Sequence, residues 1–161
     1  MRPAIRPYRP EDFPVLLEID KACYPPDIAY SRRELAEYMQ FPGADCLLAE
    51  TAGAVVAFLL TSHRGTEGHI ITIDVLEPYR RTGVGSLMLE AAEKRLAERG
   101  VTLAALETAV NNDPAISFWE KHGYRTRGIL KNYYPGQLDA YAMTKSLRVG
   151  RHRPYEAKPR P

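Results

Sequence analysis

Cysteine and long apolar runs are both scarce in this chain of 161 residues. Its two cysteines, Cys23 and Cys46, have neither the spacing of metal ligands nor that of a disulfide framework, so we expect buried thiols and no metal site. The longest apolar run, residues 54–60, is too short to span a bilayer, and residues 1–6 contain no apolar segment typical of a signal peptide. These absences exclude a disulfide-stapled class and predict a cytoplasmic protein without a membrane partner.

The composition is that of one globular domain followed by a basic tail. With 45% hydrophobic and 26% charged residues, the chain can bury a single core. Residues 148–161 are rich in proline and arginine and lack apolar periodicity, so we predict a domain over 1–147 and a disordered tail over 148–161. The tail could contact RNA, a ribosomal surface or a partner subunit, or it could be a solvated terminus. We expect no other nucleic-acid contact, and either a monomer or a homodimer.

The most informative stretch, residues 71–85, joins a β-branched strand to a helix through a turn with two glycines. The first N–H groups of a helix lack intrahelical partners and the helix dipole adds positive charge, so this junction predicts an anion site. Gly83 and Gly85 would let a bulky ligand approach the backbone. The third glycine of a Rossmann fingerprint is missing, and the chain has no P-loop. What remains is Arg80-x-x-Gly83-x-Gly85, for which we expect a pyrophosphate ligand.

Hydrophobic periodicity and turn residues predict the order β-α-α-β-β-β-α-β-α-β-β. Ser31 and Glu34 form a candidate capping box at the start of the second helix, and Gly100 is a candidate end of the third. The two closing strands are expected over 124–130 and 140–146, around a loop at 132–136. This order indicates an α/β (α+β) domain.

The segment Arg80-x-x-Gly83-x-Gly85 resembles the acetyl-CoA pyrophosphate loop of the GNAT superfamily of N-acetyltransferases, and the order of elements is the order of that fold. The resemblance implies a mixed central sheet of about seven strands and about four flanking helices, with parallel strands 4 and 5 splayed apart. It also implies acetyl-CoA as co-substrate, with its acetyl carbonyl held by backbone N–H groups near Val75 and Leu76. The cofactor-binding residues that it implies are Asp74, Val75, Leu76, Arg80, Arg81, Thr82, Gly83, Val84, Gly85, Ser86 and Asn112.

The second half of the chain narrows the resemblance to one subfamily. The segments that carry it are Leu106-Glu107, Asn112, Lys121-His122-Gly123-Tyr124, Lys131-Asn132-Tyr133-Tyr134-Pro135 and Asp139-Ala140-Tyr141-Ala142-Met143. They look like the ribosomal-protein-alanine (RimI-like) N-acetyltransferases and their relatives that acetylate protein N-termini. The resemblance implies acetyl transfer to a primary amine, with a protein N-terminal α-amine preferred. A small amine or a lysine side chain is the alternative acceptor, and a catalytically weak acyl-CoA-binding module is the alternative of another class.

Glu107 matches the proton acceptor of the RimI-like enzymes, and the residues around it point to the same role. Period-2 alternation places Glu107 on one strand face with Ala105 and Ala109. A carboxylate on such an apolar face is costly unless it is paired or lines a cavity. We therefore predict that Glu107 is catalytic. The alternative is a structural ion pair with an arginine such as Arg125 or Arg127.

One position departs from the family pattern. The family places a tyrosine that protonates the CoA thiolate on the helix after Asn112, and this chain has Trp119 there. An indole N–H is no acid in this pH range. A thiolate with a pKa of about 8.5 is a tolerable leaving group, so it could leave unprotonated or take its proton from water or another tyrosine. Slow turnover is a further outcome, and Trp119 could be core packing beside CoA.

Aromatic residues from two separate loops form the predicted acceptor site. The residues assigned to substrate binding are Tyr24, Pro25, Tyr30, Tyr133 and Tyr134, with Asp139 as a carboxylate for an ammonium group or a backbone N–H. Each tyrosine could instead be a surface or core residue. His63, His69 and His122 lack ligand spacing and are expected to be structural or exposed.

Overall fold

A computed structural model describes residues 2–147, and within them seven strands and four α-helices follow the predicted order. The strands are β1 (Ala4–Pro7), β2 (Asp45–Thr51), β3 (Ala54–Arg64), β4 (Glu67–Val75), β5 (Leu103–Ala109), β6 (Arg125–Tyr134) and β7 (Leu138–Ser146). The helices are α1 (Phe13–Cys23), α2 (Arg32–Met39), α3 (Val84–Glu98) and α4 (Asp113–Lys121), with 3₁₀ turns at Pro10–Asp12 and Glu77–Tyr79. Among these residues, no helix has the length and hydropathy needed to cross a membrane. The predicted tail, 148–161, lies outside the described residues.

All described strands belong to one sheet, in the order β1-β2-β3-β4-β5-β7-β6. Neighbouring strands are antiparallel except β4 and β5, which are parallel and are joined through α3. A parallel pair needs such a crossover connection because its strands run in the same direction. The predicted mixed sheet of seven strands is confirmed.

Side-chain alternation divides the core into two layers on opposite faces of the sheet. In β3, Ala57 and Leu59 belong to the layer that contains the buried face of α3 and Trp119 of α4. Phe58 and Leu60 belong to the other layer, beneath α1 and α2. The sheet therefore separates two helix layers, and the site described below lies where β4 and β5 part between them.

The capping residues predicted from the sequence mark the start of α2 and the end of α3. The Ser31 hydroxyl accepts a hydrogen bond from the Glu34 N–H at 3.0 Å, and the Glu34 carboxylate accepts one from the Ser31 N–H at 2.8 Å. This confirms the capping box at the start of α2. Gly100, with φ of +88°, directly follows the C-cap of α3 and returns the chain toward β5.

The final hairpin differs from its predicted form. The loop expected at 132–136 is wrong in position, because β6 continues through Tyr134 and the strands reconnect at 135–137. Asn132 adopts a positive φ of 54° within an irregular stretch of the β6–β7 register. Its N–H donates to Asp139 Oδ1 at 2.9 Å, so a side chain of β7 stabilises the irregularity. Tyr133 and Tyr134 are consequently presented by a strand rather than by a loop.

Candidate active site

The parallel strands β4 and β5 separate after a short paired stretch. Their register runs from Glu67 opposite Leu103 to His69 opposite Ala105. Beyond His69, β4 continues to Val75 in register with β3. An opening therefore lies between the later parts of β4 and β5, which confirms the predicted splay.

Val75 and Leu76 were both predicted to supply backbone N–H donors at this opening, but only one of these N–H groups points toward it. The Leu76 N–H donates to the Val56 carbonyl at 3.0 Å, so the prediction that Leu76 supplies a free donor is wrong. In an antiparallel pair only alternate residues direct their N–H groups at the partner strand, so that of Val75 points away from β3 and toward the opening. Arg80 Nε donates to the Val75 carbonyl at 2.7 Å and fixes the turn after β4. Val75 is thus the donor that this geometry favours.

The side chain of Asp74 is turned into the protein interior. It is 1% exposed, and its Oδ1 accepts a hydrogen bond from the Thr72 hydroxyl at 2.6 Å. Burial, followed by the neighbouring Asp20 carboxyl, holds the pKa of Asp74 well above its usual range. The prediction that Asp74 binds the cofactor is therefore wrong for its carboxylate, and its backbone lies in the register that pairs with Phe58 of β3.

The glycine turn opens α3 with an unobstructed backbone. Gly83 is the N-cap residue with φ of +91°, a conformation that disfavours side chains, and apart from its two chain neighbours no described residue lies within 4 Å of the position a Cβ would occupy. Its carbonyl accepts the first helical hydrogen bond, from the Leu87 N–H at 3.0 Å. The N–H groups of Val84, Gly85 and Ser86 consequently have no intrahelical partner. They form a backbone site for an anionic group at the positive end of a 15-residue helix.

Glu107 lies next to the point where β4 and β5 part. Its Oε1 is 2.7 Å from His69 Nε2 and accepts a longer hydrogen bond, at 3.3 Å, from the Tyr133 hydroxyl. The alternative of a structural pair with Arg125 or Arg127 is wrong, because Arg125 donates to the Tyr124 carbonyl and Arg127 to the Thr144 hydroxyl. The Glu107 side chain keeps 22% of its surface exposed, so the carboxylate is held in place and still reachable.

His69 is a site residue that sequence reasoning missed. It is the last residue of β4 opposite β5, and its partner Ala105 is on the same face as Glu107 two residues later. His69 and Glu107 line one end of a groove with a volume of about 440 Å³. The groove continues along the open face of the sheet to Phe41 and Arg64. A base and a hydrogen-bonded histidine at the end of an accessible groove can accept a proton from a bound group.

Comparison with known proteins identifies the family that carries this geometry. A family model described as the acetyltransferase (GNAT) family matches residues 13–124. The chain belongs to the GNAT family.

Individual GNAT relatives are similar over most of the chain. The N-alpha-acetyltransferase of Sulfurisphaera tokodaii is 30% identical over 156 residues, which cover 89% of this chain and 92% of that protein. The ribosomal protein bS18-alanine N-acetyltransferase of Escherichia coli K12 is 35% identical over 100 residues, which cover 60% of this chain and 68% of that protein. The crystal structure of the Escherichia coli ribosomal-protein-S18-alanine N-acetyltransferase superposes with a TM-score of 0.83 at 27% identity, covering 90% of this chain and 94% of that one. The RimI-like resemblance and the assignment to N-acetyltransferases are confirmed.

In this GNAT enzyme the predicted aromatic residues divide into two groups. Tyr133 and Tyr134 pack edge to face with ring centroids 4.9 Å apart, and both lie near Glu107. Burial and then the Glu107 charge raise the pKa of Tyr134 to about 12. Tyr24 and Tyr30 instead lie beside the buried Asp74, and burial raises the pKa of both. Only the first group adjoins the predicted base directly.

Tyr38 of α2 links the two groups, and sequence reasoning missed it. Its ring packs between Tyr30, at a centroid distance of 5.0 Å, and Phe41, at 4.9 Å. It also lies close enough to Glu107 that this carboxylate, after burial and Glu34, raises its pKa. A tyrosine near the end of an amphipathic helix is typical of a core residue, and Tyr38 does pack against the core layer beneath α1 and α2.

Two further predicted substrate residues have local structural roles. Asp139 accepts the Asn132 N–H and lies 3.4 Å from Lys131 Nζ; the Asn132 bond lowers its pKa most. Its carboxylate is thus engaged within the hairpin, where it supports the strand that carries Tyr133. Pro25 begins the turn after α1, and its carbonyl accepts the N–H groups of residues 28 and 29.

Trp119 belongs to the core of the α3 layer. It is 5% exposed, and its ring packs against Phe118 at 5.1 Å and Tyr124 at 5.4 Å. Tyr124, which follows α4 and packs on Trp119, is not a free replacement for the missing acid, because its hydroxyl donates to Glu93 at 2.8 Å and burial raises its pKa. Core packing is therefore the role of Trp119 that the structure supports.

Two further predicted cofactor residues, Asn112 and Ser86, lie at the starts of α4 and α3. Asn112 is the N-cap of α4, and its Oδ1 accepts the Ala115 N–H at 3.2 Å. The Ser86 hydroxyl is 2.8 Å from His122 Nε2, and burial lowers the pKa of His122. This pair ties α3 to the end of α4, so His122 has the structural role predicted for it.

Proposed function

We propose that this GNAT acetyltransferase moves the acetyl group of acetyl-CoA directly to a primary amine, and that its preferred acceptor is a protein N-terminal α-amine. The observation that carries the proposal is the Glu107 carboxylate, 2.7 Å from His69, at the parting of two parallel strands and at the head of an open groove. A carboxylate in that position can take a proton from an amine that attacks a carbonyl beside β4.

The chain's own residues suit acetyl-CoA. The free N–H groups at the start of α3 can bind its pyrophosphate, and the empty space at Gly83 leaves room for it. The opening beyond His69 can admit the pantetheine arm between β4 and β5. Acetyl-CoA supplies the acetyl group as a thioester and releases a thiolate, which needs no acid for departure near neutral pH.

The proposed transfer uses one residue for proton removal and another for charge stabilisation. Glu107 accepts the proton that the attacking nitrogen loses, either directly or through one water molecule, while His69 holds the carboxylate in position. The Val75 N–H stabilises the negative charge that develops on the carbonyl oxygen as the nitrogen–carbon bond forms. The carbon–sulfur bond then breaks and restores the carbonyl, giving an acetamide.

An α-amine matches a base of this kind better than a lysine does. With a pKa near 8, roughly a tenth of an α-amine is neutral at pH 7, whereas about one lysine in several thousand is. A carboxylate base gains most from an acceptor that is already partly neutral, and the Glu107 side chain, 22% exposed, can be reached by such an acceptor. The names of the Sulfurisphaera tokodaii and Escherichia coli relatives, an N-alpha-acetyltransferase and an alanine N-acetyltransferase of a ribosomal protein, support the same class.

An acetyl-transfer screen tests the proposal. The purified protein is incubated with acetyl-CoA and peptides with free N-termini, and products are identified by mass spectrometry. Matched controls are the same peptides with blocked N-termini, lysine-containing peptides and polyamines. We expect acetylation only where the α-amine is free. Transfer to polyamines or lysine with none to free N-termini would overturn the acceptor preference and leave the acetyltransferase assignment intact.

Replacing Tyr134 with alanine is expected to raise the KM for a peptide acceptor about tenfold, with little change in acetyl-CoA affinity. The ring packs against Tyr133 beside Glu107, and loss of such an aromatic contact with its buried area costs about 1–2 kcal/mol. Steady-state kinetics with peptide and calorimetry with acetyl-CoA measure the two effects. Tyr134→Phe is the matched control, since it keeps the ring. An unchanged peptide KM in Tyr134→Ala would remove Tyr134 from the acceptor site.

A further inference from the structure

Two aspartates that the proposed chemistry does not use face each other in the interior. Asp20 of α1 is 0% exposed and Asp74 of β4 is 1% exposed. Asp20 Oδ2 accepts the Tyr30 N–H at 2.6 Å, and Asp74 Oδ1 accepts the Thr72 hydroxyl at 2.6 Å. The second oxygen of each, Asp20 Oδ1 and Asp74 Oδ2, has no donor among the described residues. The two carboxyls are nevertheless within hydrogen-bonding reach of each other.

Such an arrangement requires a proton between the carboxyls. Two ionised carboxylates in contact, both removed from water, repel each other and lose their hydration. One shared proton removes one charge and supplies the donor that both orphan oxygens lack. Among residues 2–147, the cation that acts on Asp74 is Arg80, and its Nε donates to the Val75 carbonyl. The other titratable groups facing the pair are neutral in this range, namely Cys23, Tyr24 and Tyr30.

We propose that Asp20 and Asp74 share one proton. This hydrogen bond holds the segment that contains Tyr30 and leads into α2 against β4, the strand that carries the Val75 N–H. On one side, Asp74 directly precedes Val75 in β4. On the other, Asp20 holds the backbone of Tyr30, one residue before the N-cap of α2. The pair therefore consists of positioning residues, and this part of the inference rests on the proposed function.

Through α2 the link extends to the base. Tyr30 packs on Tyr38, and Tyr38 lies near Glu107. Loss of the shared proton would leave two like charges at the contact between α1 and β4 and would loosen the segment between α1 and α2. The pKa of Asp74 is raised in the folded protein, so the stabilisation from this pair is complete below the ordinary aspartate pKa and is lost as the pH rises through the raised value.

Asp74→Asn tests the proposal because an asparagine amide donates to Asp20 at every pH. We expect the wild-type protein to show the infrared carbonyl band of a protonated buried carboxyl at neutral pH, and the variant to lack it. We also expect the ratio of wild-type to variant peptide KM to rise, about three- to tenfold, across the pH range in which the wild-type carboxyl band disappears. The ratio cancels the ionisation of the acceptor amine, which is the same for both proteins. Acetyl-CoA affinity should not follow this trend.

Two further variants keep the test decisive. Asp20→Asn places the same permanent donor on the other residue of the pair and should behave like Asp74→Asn. If one of the two variants fails to fold, the other still tests the proposal. Asp45→Asn is the matched control, because it makes the same exchange at an aspartate whose pKa is shifted in the opposite direction. Burial raises the pKa of Asp45, but the hydrogen bonds from its partners Arg95 and Arg99 lower it overall. Absence of the protonated-carboxyl band in the wild-type protein, or a KM ratio that does not change across the pH range in which that band disappears, would overturn the proposal. The infrared readout needs no acceptor, so its failure is distinct from a wrong choice of substrate.

Discussion

Exchanging Glu107 for glutamine is expected to lower kcat on the order of ten- to a thousand-fold at neutral pH, with little change in acetyl-CoA affinity. Glutamine preserves the size of the side chain and can still contact His69 and Tyr133, so the shape of the site is kept. It cannot accept the proton that the acceptor nitrogen must lose as it becomes a nucleophile and forms the bond to the acetyl carbon. Single-turnover acetylation of a peptide, with calorimetry for acetyl-CoA, measures the two quantities separately.

The pH dependence of this defect separates proton transfer from positioning. As the pH rises toward the pKa of the acceptor, near 8 for an α-amine, solvent performs the deprotonation and the defect should shrink. An equal defect at every pH would show that Glu107 orients the acceptor instead. Tyr133→Phe is the matched control, since it removes only the 3.3 Å hydrogen bond to the same carboxylate oxygen. We expect it to lower kcat far less than Glu107→Gln.

Features encoded within a few consecutive residues could be predicted from the sequence. The glycine turn before α3 and the capping box of Ser31 depend on local backbone geometry and short side-chain reach. The order of strands and helices follows from hydrophobic periodicity, which the two core layers confirm. These features were sufficient for the fold and for the candidate anion site.

Contacts between distant strands could not be predicted in the same way. His69 meets Glu107 only because β4 and β5 pair in one register and then part, and nothing near His69 in the sequence specifies that register. A register shift between Leu60 and Thr61 further changes which side of β4 faces α1. The contact between Asp20 and Asp74 depends on this shift and on the docking of α1. For this reason Asp74, an acidic residue of the strand predicted to bind the cofactor, was assigned to cofactor binding, although its side chain is buried in the core.

The position of the final tyrosines was missed for a related reason. Tyr133 and Tyr134 have high strand propensity, and Asp139 satisfies the backbone of the irregular residue Asn132. Both effects extend β6 beyond the point where Asn132 and Gly136 suggested a loop. The turn residues correctly predicted that a turn joins the last two strands, but the pairing of β6 with β7 determines where that turn lies.

Replacing Gly83 with valine is expected to reduce acetyl-CoA affinity by about a hundredfold or more. A side chain at this N-cap would occupy the open space in front of the first N–H groups of α3. Two lost hydrogen bonds to a charged group cost about 3–6 kcal/mol, which corresponds to roughly a hundred- to ten-thousand-fold in affinity. Isothermal calorimetry with acetyl-CoA measures the change. Gly85 is a poorer position for this test, because its Cβ would lie 3.2 Å from the Phe118 ring and would disturb the core.

Gly100→Val provides the matched control for Gly83→Val. Gly83 and Gly100 have nearly the same φ, +91° and +88°, and a Cβ at either would have no residue of the described chain within 4 Å apart from its two chain neighbours. Both substitutions therefore carry the same backbone strain, about 1–2 kcal/mol, and should lower the thermal stability alike. Only Gly83 precedes the helix start that faces the opening between β4 and β5, whereas Gly100 follows the other end of α3. Equal loss of acetyl-CoA affinity in both variants would attribute the effect to strain. Full affinity in Gly83→Val would place the pyrophosphate elsewhere, and loss in that variant alone would tie the cofactor to the glycine turn.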